Sequence, residues 1–452
     1  MVHGPLLFLI ILLGVGFIVL ATAKWKLHPF LALLIASFGV GIAAGMPLAD
    51  VVKAVNDGFG GLMSSIGIVI LAGTVIGTIL EKSGAALRMA EVVLRLVGEK
   101  RPQLAMSLIG AIVSIPVFCD SGYVILSSLN KALAKRTNVA LASMSVALAT
   151  GLYATHTLVP PTPGPIAAAG NIGASNYLGT IIIIGLIVAI PVILVGYIWA
   201  IKVASKIHIQ GEEDHHFNYD EVVKQFGNLP STGKAFAPIV IPILFIGVAS
   251  IISSLGWTGQ FPNFFLFLGT PVVALLIGVF VSFTLLPKWN EETLTGWVGE
   301  GIKDSATIIL ITGAGGAFGS VIKTTPVADL IKGLADGGLL SGAFVLLIPF
   351  IVAAALKTAQ GSSTAALVIT SALIAPMIKQ MGMDGAIPLA LVVMAVGAGA
   401  MAVSHVNDSY FWVVTQFSGM KVTEAYKAQT MATLLQGVTA IIVTMILWVI
   451  LV

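Results

Sequence analysis

Five ionisable residues stand in stretches that are otherwise almost wholly apolar: Asp120, His156, Lys357, His405 and Asp408. A charged side chain at the centre of a bilayer costs about 2.5–3.5 kcal/mol even on the mildest insertion scale, so each of them needs a partner or a task. Two short polar runs, Asp120-Ser121-Gly122 and Gln360-Gly361-Ser362-Ser363-Thr364, each precede a helix-forming stretch. A helix beginning there points free backbone N–H groups and a partial positive charge at the run, which suits an anion. Lys357, one turn before the second run, adds a full positive charge. Bland readings stand beside these. Ser121, Ser362, Ser363 and Thr364 have the types of ordinary helix N-caps, Lys357 the length to snorkel to an interface, and His405 and Asp408 the spacing to pair with each other on one helix face.

Around these residues the composition is that of a membrane protein. The chain has 452 residues, of which 57% are apolar and only 10% charged, and its mean hydropathy is +1.03. That is too little charge for a water-facing surface. A net charge of +3 is too small and scattered for nucleic acid, and one cysteine, Cys119, excludes an intrachain disulfide framework. No metal or organic cofactor is expected. His215 and His216 fall in a polar run that reads as a solvated linker, and Gly313–Gly319 fails dinucleotide spacing and reads as close helix packing.

Crossing a hydrocarbon core of roughly 30 Å takes about 20 helical residues. Ten segments meet that length, near residues 5–23, 29–45, 62–80, 139–165, 180–201, 236–254, 264–286, 305–322, 386–412 and 428–450. The first ends in Ala21-Thr22-Ala23, like a signal-peptide cleavage site, but nothing basic precedes it, so it reads as a helix. Two pairs of apolar stretches are too short to cross and read as re-entrant hairpins, 103–135 with its tip at Cys119–Gly122, and 342–379 with its tip at Thr358–Ser362. Two segments are broken. Thr155–Pro165 carries Pro160, Pro161, Pro163 and Pro165, and Ser404–Ser409 carries His405 and Asp408. Irregular backbone at membrane depth survives only where it lines a cavity or is buried in protein.

The same order of parts occurs twice, and Gly77 precedes Asp120 by nearly the interval at which Gly319 precedes Gly361. The expected fold is therefore an all-α polytopic membrane protein of two inverted-topology repeats. Each has five transmembrane segments, one of them broken, plus a re-entrant helical hairpin. The repeats are 1–201 and 236–452, joined by a cytoplasmic linker at 202–235. Five crossings per half turn the second copy upside down. Opening the first hairpin to the cytoplasm places most of the 23 Lys and Arg inside. Only Lys53, Lys323, Lys332 and Lys379 then fall outside, with Lys357 at a hairpin tip, as the positive-inside rule prefers. Both termini are then expected outside the cytoplasm.

Phe118–Tyr123, Thr155-His156 followed by Pro160–Pro165, Gly313–Phe318, Gln360–Thr364 and Ser404–Asp408 together resemble the gluconate permease (GntP) family of the ion-transporter superfamily, over essentially the whole chain. The resemblance implies uptake of an aldonate or related hydroxy acid across the bacterial inner membrane, driven by proton entry, by a homodimer whose hairpin tips and broken helices meet at the bilayer midplane. Departures at Asp120-Ser121-Gly122, Thr162 and Lys357 leave the acid open between gluconate, glycerate and other sugar acids. On this reading Ser121, Gly122, Thr162, Lys357, Gln360, Gly361, Ser362, Ser363, Thr364 and Asn407 bind substrate, and Asp120, His156, His405 and Asp408 carry protons. Na⁺ coupling through freed carbonyls is the near rival. An intramembrane hydrolase using Ser121 with His156 or His405 and a passive channel are distant ones.

Overall fold

A computed structural model describes residues 1–98, 100–207, 209, 228–255, 257–326, 342–378, 382–406 and 408–452. Among them every regular element is helical. Seven helices are long and apolar enough to cross a membrane, and an eighth span results if one bent pair is counted together. The protein is an all-α polytopic membrane protein.

In the first half, α1 (Gly4–Ala23) and α2 (Pro29–Ala43) lead to α3 (Leu48–Leu62) and α4 (Ile68–Lys82), which run as one 35-residue helix through a π turn at Met63–Gly67. The amphipathic α5 (Ala85–Val97) buries Ala86, Met89, Ala90 and Val93 on one face. Then come α6 (Pro102–Val113) and α7 (Cys119–Thr137), α8 (Leu141–Leu158) and α9 (Pro163–Asn171), and α10 (Leu178–Lys202).

The second half opens with α11 (Thr232–Ser254), whose start lies inside the expected linker. Next are α12 (Gln260–Leu268) and α13 (Pro271–Ser282), bent by 64° relative to each other, and α14 (Val298–Thr324). The paired helices α15 (Leu347–Gln360) and α16 (Ser363–Ile374) precede α17 (Ala386–Met401) and α18 (Ser409–Ser418). After a helical turn at Val422–Ala425 and a π turn at Tyr426–Thr430, α19 (Met431–Leu451) closes the chain.

Five boundaries differ from the sequence reading. The first hairpin turns at Ser114–Phe118, and Asp120, Ser121 and Gly122 sit in the first turn of α7. Pro116 lacks an amide hydrogen and crowds the preceding turn, so it ends the helix, whereas Asp and Ser are favoured where a helix starts. The first broken segment is helical through His156 and opens only at Val159–Thr162. Pro160 and Pro161 make that break, while Pro163 and Pro165 fall in the first turn of α9, where a missing N–H costs nothing. Segment 264–286 kinks at Gly269-Thr270, and segment 29–45 holds only 15 helical residues, about 22 Å. Finally, a 3₁₀ turn at Gly342–Leu346 extends the first leg of the second hairpin to 19 residues.

The halves interlock. α9 lies along α16, where Asn171 Nδ2 donates to Val368 O (2.9 Å) and Ser371 Oγ (2.8 Å), and a methyl on Gly164 would meet Leu367 at 2.7 Å. α3 crosses α14 so closely that a Cβ on Gly58 would lie 2.3 Å from the Gly316 carbonyl oxygen. α7 packs on α18. Each hairpin therefore faces the broken helix of the other half. Asn407, Lys332, Lys379, His215 and His216 lie outside the described residues, as does 327–341.

Candidate functional site

The site is built from chain ends, because helix ends are where polar groups at membrane depth find partners. α15 closes at Gly361, which adopts φ +89° and so gives the chain a left-handed turn that a Cβ would strain. Ser362 caps α16, its Oγ accepting from Ala365 N at 3.2 Å. At the other broken segment the chain leaves α17, passes Val403 at φ +54°, and starts α18 with Asp408 as N-cap, Oδ1 accepting from Tyr410 N at 3.1 Å. These turns bring a lysine from the last turn of α15 against an aspartate at the start of α18.

Lys357 Nζ lies 2.6 Å from Asp408 Oδ2, with the two side chains 0% and 4% exposed. The ammonium also donates to Gly361 O and sits 5.6 Å from the centre of the Tyr153 ring. Ser404 Oγ donates to the same carboxylate oxygen. Both charges are placed where helix dipoles favour them, the cation at a C-terminus and the anion at an N-terminus. A full positive and a full negative charge thus coexist away from solvent, each with hydrogen bonds besides the ion pair. The pair that the sequence offered, His405 with Asp408, does not form. His405 Nε2 is 2.9 Å from Thr358 O instead.

Tyr153 organises the rest. Its ring stacks on Tyr410 (5.0 Å between centres, 27°) and lies nearly parallel to His156 (6.4 Å, 10°), while Tyr123 meets Tyr410 edge-on. Its hydroxyl interacts with Ser363 and lies 3.4 Å from Ala400 O. His156 is 3% exposed, and its Nδ1 has no partner among the described residues. Asp120 lies in the electrostatic reach of both Asp408 and Lys357, beside Ser409, and accepts from the Cys119 thiol. Gln360 Nε2 is buried without a partner among the described residues.

Other expected residues are occupied elsewhere. Ser121 turns to the carboxylate of Glu81 on α4. Thr162 Oγ1 donates to Val159 O at 2.6 Å within the helix break, and Gly122 provides clearance for Leu152, which an added Cβ would meet at 2.7 Å. Thr364 packs in the first turn of α16 against Gly164. Tyr153, Tyr410 and Glu81 were not singled out from the sequence. Tyr153 carried one usable signal, since it lies three residues before His156 and therefore on the same helix face. Among the described residues no group of three or more His, Cys, Asp or Glu side chains could hold a metal ion. The convergent groups are a cation, carboxylates, hydroxyls and an unpartnered amide, which fit a small hydroxylated anion.

Comparison with known proteins places the chain in a family. A gluconate permease of Pseudomonas aeruginosa is 32% identical over 96% of this chain and 95% of its own length. The D-serine transporter DsdX of Escherichia coli K12 is 33% identical over 97% of each. The crystal structure of the YdaH transporter of Alcanivorax borkumensis superposes with a TM-score of 0.64 at 14% identity, over 94% of this chain and 98% of that one, and so shares the fold. The sequence profile described as GntP family permease matches residues 6–450, and the chain therefore belongs to the GntP family of membrane permeases, not to the hydrolases.

Proposed function

We propose that this permease imports a small hydroxylated carboxylate together with protons, by alternating access across the bacterial inner membrane. The observation that carries the reading is the closed Lys357–Asp408 pair, formed where a hairpin tip and a broken helix meet. An ammonium neutralised by the protein's own carboxylate has no vacancy for an anion. Protonation of Asp408 frees it, and a substrate carboxylate then takes the place of Asp408 as its counter-ion. Substrate and proton thus enter together, and the pocket holds the same net charge empty and loaded. Asp120, His156 and His405 stand around this pair as relay groups. Hydroxyls of the substrate meet Gln360, Ser362, Ser363 and the backbone at Gly361, with Asn407 completing the shell.

Support for the substrate class comes from the relatives. Gluconate and D-serine, which appear in their names, share a carboxylate with a hydroxyl nearby. The basic residues support an orientation with both termini outside and the 202–235 linker inside. The recurring helix order supports two inverted repeats, and the family resemblance supports a homodimer.

The test is uptake of labelled gluconate, glycerate or D-serine into proteoliposomes with one driving force at a time. A pH gradient alone is expected to drive accumulation. Accumulation under a sodium gradient alone, with none under a pH gradient, replaces the proton with Na⁺, and equilibration without accumulation makes the protein a channel.

A further inference from the structure

Asp408 Oδ2 takes two donors, the Lys357 ammonium at 2.6 Å and the Ser404 hydroxyl at 2.5 Å. Ser404 stands outside both α17 and α18, so no helix supplies partners for its own peptide groups. The residue before it, Val403, holds a φ of +54°, which a β-branched side chain rarely adopts. Buried backbone of this kind keeps its shape only where the surroundings determine it. Here two threonines do so. At the junction of the last π turn with α19, Thr430 Oγ1 donates to Ser404 O (2.5 Å) and Thr433 Oγ1 accepts from Ser404 N (3.0 Å). Thr433 donates its own hydroxyl proton to Thr430 O (3.0 Å), which leaves its lone pairs for the Ser404 amide. All three residues are buried. The helix that carries the threonines is pinned in turn. Trp199 Nε1 on α10 donates to Ala428 O at 3.0 Å, and Gln436 Nε2 donates to Thr150 O on α8 at 2.9 Å.

We propose that Thr430 and Thr433 are positioning residues of the coupling centre: by holding the Ser404 peptide from both sides, they aim the Ser404 hydroxyl at Asp408 and set the pH at which that carboxylate takes up its proton and releases Lys357. Among the described residues neither threonine hydroxyl bonds to Lys357 or Asp408, and both act through Ser404. A hydrogen bond donated to a carboxylate favours the charged form, so a hydroxyl held on target keeps Asp408 ionised to lower pH, and a misplaced one lets it protonate at higher pH. The titratable groups that face Asp408 are Lys357 on α15, Asp120 and Cys119 on α7 and Tyr153 on α8, while His156 stands toward Lys357 and His405 toward Thr358 O. Replacing either threonine by an apolar residue changes none of these charges. This inference deepens the transport reading and rests on it.

The test is the pH profile of uptake into proteoliposomes, with whichever of gluconate, glycerate and D-serine the unaltered protein accumulates. Ser404→Ala removes the donor itself and is expected to move the midpoint of the profile upward by about one pH unit, the loss of one hydrogen bond to a charged group. Thr430→Val and Thr433→Val keep the side-chain shape without the hydroxyl, and each is expected to move the midpoint the same way by about half a unit or more. Alanine replaces valine at either position if a valine variant does not fold. Thr430→Ser and Thr433→Ser restore the hydroxyl and are expected near the unaltered midpoint. Thr444→Val is the control, because that buried hydroxyl bonds only within its own helix, to Ala440 O at 2.7 Å. A midpoint moved by Ser404→Ala but not by the threonine variants overturns the inference while leaving the transport reading intact. So does a fall in Vmax at an unchanged midpoint, an equal shift in Thr444→Val, or no shift in Ser404→Ala. If uptake by the unaltered protein does not depend on pH, the proton-coupled reading falls and this inference with it.

Discussion

The Nζ of Lys357 and Oδ2 of Asp408 stand 2.6 Å apart, joining the last turn of a hairpin leg to the first residue of a helix 51 positions later, with both side chains closed to solvent. Neither charge is tolerable there alone. Removing one partner of a buried ion pair typically costs about 3–5 kcal/mol because the other is left uncompensated, whereas replacing both by groups of similar volume is often neutral. Lys357→Met is therefore expected to lower the unfolding temperature in detergent sharply, and Lys357→Met with Asp408→Asn to regain most of the loss while remaining inactive in uptake. Additive losses in the double variant are the outcome that contradicts a direct coupling.

Asp408→Asn alone separates binding from coupling. Asparagine is as good a helix N-cap as aspartate, so the start of α18 is preserved, and the Lys357 ammonium loses its internal counter-ion. The expected variant binds substrate at least as tightly as the unaltered protein and exchanges internal for external substrate. It does not accumulate substrate in response to a pH gradient. Full accumulation by Asp408→Asn, together with its loss in Asp120→Asn or His156→Gln, moves the coupling proton to one of those two groups.

Tyr153 holds the centre through three of its faces: a ring under the lysine, a stack on Tyr410 and a hydroxyl toward Ser363. Tyr153→Phe keeps the ring and is expected to cost about 1 kcal/mol of stability, with KM changed only a few-fold. Tyr153→Ala empties a fully buried site and is expected to cost about 3–5 kcal/mol. Thermal unfolding in detergent and substrate titration measure both. Equal damage from the two substitutions contradicts the ring's role and assigns the whole effect to the hydroxyl.

Why some of this was legible in the sequence follows from the solvent. In a bilayer an ionisable side chain has few innocent explanations, so Asp120, His156, Lys357, His405 and Asp408 stood out before any coordinates did. Their pairing did not. His405 and Asp408 are three residues apart, but that spacing implies contact only inside a helix, and here His405 lies before the helix that Asp408 caps, in chain already turned at Val403. Lys357 reaches Asp408 because two separate helix ends converge, a tertiary fact without a local signature. The polarity of Asp120-Ser121-Gly122 points to a turn there, but Pro116 is the stronger backbone constraint and ends the helix earlier. Tyr153 and Tyr410 passed unnoticed because an aromatic residue in an apolar run carries no excess cost to explain.

The two hairpins offer the sharpest test of the proposed inverted repeats, and the composition makes it clean. Cys119 is the one cysteine in the chain and is buried, so Cys119→Ser leaves a background without thiols. In that background Ser121→Cys reports on the first turn of α7, and Ser362→Cys on the tip between α15 and α16, where the native serine is exposed. The first hairpin is flanked by Lys100 and Arg101 at one end and by Lys135 and Arg136 at the other, which the positive-inside rule assigns to the cytoplasm. If the second half is inverted, its hairpin opens to the opposite compartment. A membrane-impermeant maleimide is therefore expected to label Ser121→Cys in inside-out vesicles and Ser362→Cys in right-side-out vesicles. Labelling of both from one side removes the inverted arrangement, and with it the alternation of access that two opposed hairpins around a shared ion pair would provide.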